Sequence, residues 1–551
     1  MLNFSQLKKN LLLRDSLVAI FFFLLVFFLY KSIINVGFLS DDWHSLFIAA
    51  NEGPVWKFFT TNIIGSRVGS TYAPMWNVLF AGEYALFGLG SWGFHLVSFL
   101  LVALGAFLLY KLSARLFNDW LVGFLAGSIF LLMPSQVESV AWISVQLHLL
   151  AAVLFLASLV AYERFSTSKK WKSYVLALFL AFLSLLTKEI GITFIAGFVL
   201  IDLYKKTPWK IVLKRLIAPV LLIGVYFGLR FYATGILFGY YAQAQSGKSL
   251  LEMMKMFIEM TVNLFFSYPE RVIFATWFFK HLLVYILLAI IFLVGSYFIF
   301  KKSRKQLFYT VAMFLVTSFP LLSVAYNSLG NEGERYLYLP SFFAALLGAI
   351  YLRAIISKSH QVVVLSFCFL LLLGALSWPQ ISVKKNNWIL AGQVVESGFK
   401  SYPTLSLPAN AIVIFIGLPD HLQGAQMFRN ATKEAINLLK VSPIKLVESE
   451  RALMSPILTK DNFDQEIFLV RTLNDSTIQL IPTAGALITG LPLVQTKYGQ
   501  ATLLNFNKQY QTGEIIQFEV NKPALTEASK NGIPVFLVYF SAGSFRTLTL
   551  N

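Results

Sequence analysis

Four short segments hold side chains whose types and spacing suit chemistry. Ser40-Asp41-Asp42-Trp43 sets two carboxylates side by side. Neighbouring like charges repel and are costly at a membrane surface, so they need a reason. The structural reason is a cap: Ser40 or Asp41 would cap a helix beginning at Trp43, leaving the second acid surplus. The chemical reason is a general base, a carboxylate placed to take a proton from an acceptor hydroxyl. Pro134-Ser135-Gln136-Val137-Glu138 fits a capping box formed by Ser135 and Glu138. His148, three turns further along, reads as a hydrogen-bonded structural histidine. Lys188-Glu189 is either a neutral interfacial pair or a lysine placed to bind phosphate. Glu334-Arg335-Tyr336-Leu337-Tyr338 is either an aromatic belt with a charge at headgroup level or an arginine fork matched to phosphate oxygens.

The elements that must position these groups follow from composition. Of 551 residues, 57% are hydrophobic and only 13% charged, against about a quarter charged in soluble proteins. The mean hydropathy is +0.68. No soluble core could bury so much apolar surface, so lipid is the solvent for most of the chain. The chain reads as a polytopic α-helical membrane protein. Its 45 Lys and Arg against 27 Asp and Glu then anchor cytoplasmic loops rather than contact nucleic acid. The single cysteine, Cys368, excludes an intramolecular disulfide and any cysteine-rich metal site.

Apolar runs of spanning length lie near 16–37, 93–111, 119–133, 140–162, 173–187, 190–204, 215–232, 281–300, 307–325, 338–356 and 361–378. The first follows Lys8, Lys9 and Arg14 and reads as a retained signal anchor. A further run, 72–88, is interrupted by Pro74, Asn77 and Glu83. If that run stays at the interface or re-enters, all the basic clusters fall on one side. These are Lys8/Lys9/Arg14, Lys111/Arg115, Arg164 to Lys172, Lys205 to Arg215, Lys301 to Lys305 and Arg353/Lys358. The positive-inside rule therefore predicts about eleven transmembrane helices, with the amino terminus cytoplasmic and the carboxyl terminus outside. The four chemistry-bearing segments then share the outer face. The outer segment 233–280 contains Leu250 to Phe266, an expected surface-lying amphipathic helix.

Composition changes near residue 380. Residues 1–380 form the transmembrane domain, and 381–551 read as an extracytoplasmic soluble α/β domain. Strands are expected at Ala411–Ile416, Ile467–Thr472, Ile515–Val520 and Val535–Phe540, with a helix over Gln423–Lys440. There is no phosphate-cradling glycine loop, no HExxH and no GxSxG. Intramembrane charges are too few for a proton relay. No matched pair of broken helices suggests a secondary transporter.

The segments Leu39 to Trp43, Pro134 to Trp142, Leu186 to Ile192 and Glu334 to Pro340 together resemble the GT-C superfamily of polytopic glycosyltransferases. The likeness is greatest to protein O-mannosyltransferases bearing tetratricopeptide repeats and to bacterial relatives, and covers about residues 15–380. That resemblance implies a polyprenyl-phosphate-linked sugar donor. It makes Asp41 the catalytic base with Asp42 its neighbour, and Lys188 and Arg335 ligands of the donor phosphate. Glu138, Glu189 and Glu334 become candidates to contact the acceptor or support the base. No nicotinamide or haem is implied; an aspartate pair can bind a divalent cation, and the metal stays unassigned. Unlike the repeat-bearing relatives, this chain has no tetratricopeptide repeats and carries an α/β region instead. The acceptor is therefore open between a protein, a lipid headgroup and a polysaccharide. The expected compartment is a bacterial-type plasma membrane. Two other readings compete: a lipid-linked sugar flippase or transporter, and a membrane assembly factor acting through its carboxyl-terminal domain.

Overall fold

A computed structural model describes residues 11–51, 53–61, 71–237, 249–265, 303–323, 333–356, 362–440, 446–447, 455–456, 464–483, 487–488, 492–508 and 512–550. The span expected at 281–300 lies outside the described residues, as do Lys8, Lys9, Lys301, Lys302, Glu332 and Lys358. By internal packing the chain divides into two units. One comprises Met1–Ile34, Gly53–Ala141 and Val145–Lys385; the other comprises Asn35–Glu52, Trp142–Ser144 and Asn386–Asn551. The loop carrying the acid pair is thus packed with the region after Asn386.

The first unit is helical. Six helices among the described residues are long and apolar enough to cross a membrane: Leu11–Ile33, Ser91–Leu116, Ile143–Ser168, Trp209–Thr234, Glu334–Ile356 and Val362–Leu405. A seventh arises if Trp120–Leu132 and Pro134–Ala141, bent by 63°, form one broken span. Pro134 lacks the N–H that a continuing helix would need, which accounts for the break. The runs at 173–187 and 190–204 form the shorter helices Trp171–Thr187 and Phe194–Tyr204. The interrupted run at 72–88 forms the helix Pro74–Phe87, of 14 residues. At about 21 Å it falls short of the roughly 30 Å hydrocarbon core. The amphipathic stretch forms the helix Leu250–Phe265.

Small residues let these helices approach one another. A Cβ on Gly127 would meet the Phe22 ring at 2.4 Å, and one on Gly123 would meet the Tyr110 carbonyl oxygen at 2.5 Å. Ser158 and Ser184 donate to the carbonyls of Ala177 and Ala151, each at 2.8 Å, tying Gln146–Ser168 to Trp171–Thr187. Basic residues from separate clusters share carboxylates. Asp15 binds Lys111, Glu163 binds both Arg115 and Lys205 at 2.6 Å, Asp202 binds Arg215 at 2.5 Å, and Asp119 binds Arg353 at 2.8 Å. Asp15 and Glu163 thus join basic residues of separate clusters within the helical unit.

The second unit contains two main sheets. The first runs in the order Ser544–Leu550, Val535–Ser541, Ile412–Phe415, Leu446–Val447. Its first pair is antiparallel and the other two are parallel. The inner strand Ile412–Phe415 is buried along its whole length, the pattern of a strand covered on both faces. The second sheet is antiparallel, in the order Phe468–Asn474, Thr477–Pro482, Ile515–Val520, Gly499–Leu504, Leu493–Thr496. Ile516 and Phe518 are buried while their neighbours are not, the period of two expected of a strand with one solvated face. All four expected strands are present. The helix expected over Gln423–Lys440 is confined to Thr432–Leu439. Gln423 (φ +48°) and Gly424 (φ +92°) adopt left-handed conformations, which turn His421–Leu422 back onto Ala425–Gln426 as a hairpin.

Candidate functional site

The two neighbouring acids do different work. Ser40, at φ +48°, turns the chain into a helix that starts at Asp41 and runs to Asn51. Asp42 is 1% exposed. Its Oδ2 accepts from the Leu39 N–H at 2.9 Å, and its Oδ1 accepts from the Ser144 N–H at 2.7 Å and hydroxyl at 2.5 Å. Asp42 therefore joins the helix start to the Trp142–Ser144 tripeptide, and Trp142 Nε1 donates to the Leu39 carbonyl at 3.4 Å. Burial pushes the Asp42 carboxyl up to about 7, while the donors from Ser144 and Leu39 pull it back. The second acid is not surplus: it is the structural one.

Asp41 is only half-buried. Its Oδ1 accepts from Asn430 Nδ2 at 2.6 Å. Its Oδ2 has no hydrogen-bond partner among the described residues. One turn along the same helix, His44 Nδ1 lies 3.9 Å from Glu434 Oε1, and its buried Nε2 has no hydrogen-bond partner among the described residues.

The cations belong to the helical unit. The helix Trp171–Thr187 ends with Lys188 in extended conformation, and a 3-10 turn covers Glu189–Thr193. Gly191 is needed there, because a Cβ would meet the Leu185 nitrogen at 2.8 Å. Glu189 lies between two cations, 3.5 Å from Lys188 Nζ and 2.8 Å from the Arg230 guanidinium. Arg230 is 1% exposed and also donates to Tyr226 at 3.2 Å. This triad carries one net positive charge.

Glu138 does not form a capping box with Ser135. Its carboxylate accepts from the Arg335 N–H at 3.0 Å and guanidinium at 2.5 Å, while Ser135 donates to the Leu264 carbonyl at 3.4 Å. Arg335 also reaches the Tyr336 hydroxyl at 3.1 Å. Glu334 is held by Lys384 Nζ at 2.5 and 2.6 Å, with both side chains buried. The His148 ring meets the Tyr336 ring edge-on at 5.5 Å. The Lys188 and Arg335 side chains are 16% and 18% exposed, whereas Arg230 and Lys384 are internal. Of these four cations Lys188 and Arg335 are the more exposed.

Several of these residues escape a reading of motifs. Arg230 had a usable signal, a lone arginine inside an apolar run, because intramembrane charge calls for a partner. Lys384, Ser144, Glu434 and Asn430 had none, since each acts on a residue remote in sequence. Among the described residues no three His, Cys, Asp or Glu side chains are grouped to hold a metal ion.

No family model matches the chain. Over 466 residues it is 24% identical to a protein O-mannosyl-transferase of Caenorhabditis elegans, covering 80% of this chain and 64% of that protein. It is 26% identical over 218 residues to protein O-mannosyl-transferase Tmtc2 of Drosophila melanogaster, covering 37% of this chain and 23% of the relative. Against TMTC2 of Mus musculus it is 30% identical over 152 residues, 27% of this chain and 18% of the relative. The chain therefore matches less than two thirds of the length of these relatives. Among solved structures it is similar to the oligosaccharyltransferase of Archaeoglobus fulgidus, crystallised with zinc and sulfate. There the TM-score is 0.46 and the identity 11%, over 78% of this chain and 62% of the other. It is also similar to ArnT of Cupriavidus metallidurans bound to undecaprenyl phosphate, with TM-score 0.37 and 15% identity, over 78% of this chain and 89% of the other. The likeness read from the four segments is met by these relatives: the chain is similar to the protein O-mannosyl-transferases.

Proposed function

We propose that this chain is a membrane glycosyltransferase of the GT-C type. It transfers a hexose from a polyprenyl-phosphate donor to an acceptor hydroxyl at the extracytoplasmic face, inverting the anomeric carbon. In this reading the chain spans the membrane eleven times, amino terminus inside and carboxyl-terminal region outside, in a plasma membrane.

The observation that carries the reading is the division between the two acids. Asp42 spends both oxygens on three donors, and Asp41 Oδ2 has no hydrogen-bond partner among the described residues. A half-buried carboxylate with one unpartnered oxygen is a base in waiting. The similarity to a protein O-mannosyl-transferase over 80% of the chain supports the class of enzyme.

The chemistry balances as a single displacement. The acceptor O–H gives its proton to Asp41 Oδ2 as the acceptor oxygen bonds to the anomeric carbon. The bond from that carbon to the donor phosphate breaks, and its electron pair stays on the phosphate. Lys188 and Arg335 stabilise the charge that develops there, in a partly dehydrated place where such donors are worth most. Glu138 and Glu189 hold Arg335 and Lys188 in position, and Glu334, in the same turn as Arg335, holds Lys384.

The test is transfer of labelled sugar from polyprenyl-phosphate mannose and glucose, comparing wild type with Asp41→Asn and Lys188→Ala. The expected result is lost transfer with retained donor binding in Asp41→Asn. In Lys188→Ala donor binding weakens by about 10-fold, the effect of one lost charged contact. Transfer by Asp41→Asn as fast as wild type would overturn the assignment of the base.

A further inference from the structure

We propose that Asn430 is the residue that positions Asp41, so that the base is completed by the region after Asn386; this rests on the glycosyltransferase reading above. Asn430 stands two residues before the helix Thr432–Leu439, with Ala431 between them in left-handed conformation at φ +61°. Asparagine beside a helix start ordinarily spends its side chain capping that helix. Here the helix start has no side-chain cap, and the Asn430 amide instead donates to Asp41 Oδ1 at 2.6 Å.

The segment that presents Asn430 is braced for the purpose. Arg429 Nε donates to both oxygens of Asp420, at 2.8 and 2.9 Å. The Met427 and Phe428 N–H groups donate to the carbonyls of Asp420 and Pro419 at 2.9 and 3.1 Å. The acid-pair loop is anchored to the same segment, because the Ser40 N–H donates to the Met427 carbonyl at 3.0 Å. Carboxylate and amide are therefore held from both sides.

The chemical consequence follows from what an amide can do. Its N–H donates a hydrogen bond and neither gives up nor receives a proton at neutral pH. With Oδ1 occupied, rotation of the Asp41 carboxyl is restrained and Oδ2 is the oxygen that faces an incoming hydroxyl. Fixing a reacting group in this way acts on the chemical step rather than on donor affinity. Asn430 touches neither reacting atom in this scheme and works through Asp41.

The experiment uses the purified full chain with polyprenyl-phosphate mannose and compares wild type, Asp41→Asn, Asn430→Ala, Asn430→Ser and the double variant Asp41→Asn/Asn430→Ala. Asn430→Ala is expected to lower kcat by about 10- to 100-fold, the range for losing one hydrogen bond to a charged group, with the donor KM unchanged. Asn430→Ser, which keeps a short donor, should recover part of that loss. In the Asp41→Asn background, Asn430→Ala should have no further effect, because the two act as a unit. Equal losses in both backgrounds, or a raised KM with intact kcat, would make Asn430 a structural residue and overturn the proposal. If Asp41→Asn loses transfer but Asn430→Ala does not, the proposal falls while the function stands. If wild type and Asp41→Asn do not differ, the function reading itself falls, and the proposal with it.

Discussion

The charged residues of the helical unit and those of the acid-pair loop obey different economies of water. In the helical unit the buried Glu138 and Glu334 each hold a cation at 2.5 Å, because an unpaired charge in a low-dielectric interior costs several kcal/mol, and the more exposed Glu189 holds Arg230 at 2.8 Å. Each acid there is a brace for a cation. In the acid-pair loop one carboxylate is buried and accepts from three donors, and its neighbour is half-buried with one oxygen unpartnered among the described residues. A partly solvated carboxylate can leave an oxygen without a protein partner because water satisfies it, and such an oxygen is open to an incoming hydroxyl. The same residue types thus brace cations in one unit, while in the other unit one acid is a structural tie and its neighbour the proposed base.

The contrast breaks first at Asp41. Replacing it by Asn, which can still accept from Asn430, should reduce transfer by about 10³-fold, as expected for a lost general base, while the thermal midpoint stays that of wild type. A variant that loses both activity and stability would show that Asp41 is structural like its neighbour.

Arg335→Met should behave in the opposite manner. It leaves Glu138 buried without its cation, at a cost of about 3–5 kcal/mol, seen in detergent as a lowered unfolding midpoint. Adding Glu138→Gln should restore much of that stability while the donor KM remains raised. Stability that is unmoved by Arg335→Met would remove the bracing argument.

Asp42→Ala strands the donors of Leu39 and Ser144, and about 2–3 kcal/mol of stability should disappear. Asp42 also confers a pH dependence. Its carboxyl is raised by burial from 3.8 to about 7, so the folded chain holds this proton more firmly than the unfolded chain does. That stabilisation is complete below about pH 4 and is lost as the pH climbs through about 7, at up to about 1.4 kcal/mol per pH unit. The stability advantage of wild type over Asp42→Asn should therefore shrink between about pH 4.5 and pH 7.5. An advantage that grows with pH would mean that the hydrogen bonds, not burial, set the ionisation of Asp42.

Much of this was legible in the chain itself. Fifty-seven per cent hydrophobic residues dictate a lipid solvent, and all four strands read from alternation or continuous apolar runs are present. Local rules failed where a partner came from far away. Ser135 and Glu138 have capping-box spacing, yet Glu138 belongs to Arg335, 197 residues later. The helix over Gln423–Lys440 was cut short by a left-handed Gln423-Gly424 turn that periodicity does not register.

The sequence by itself determined the solvent, the apolar runs flanked by basic residues, and the two adjacent acids beyond the first of them. Which acid is buried, which cations are the more exposed and which side chain donates to Asp41 were decided only by the tertiary structure. The reason is physical. Ionisation, exposure and orientation of a side chain depend on its neighbours in space, and here those neighbours lie 102 residues away at Ser144 and 389 away at Asn430.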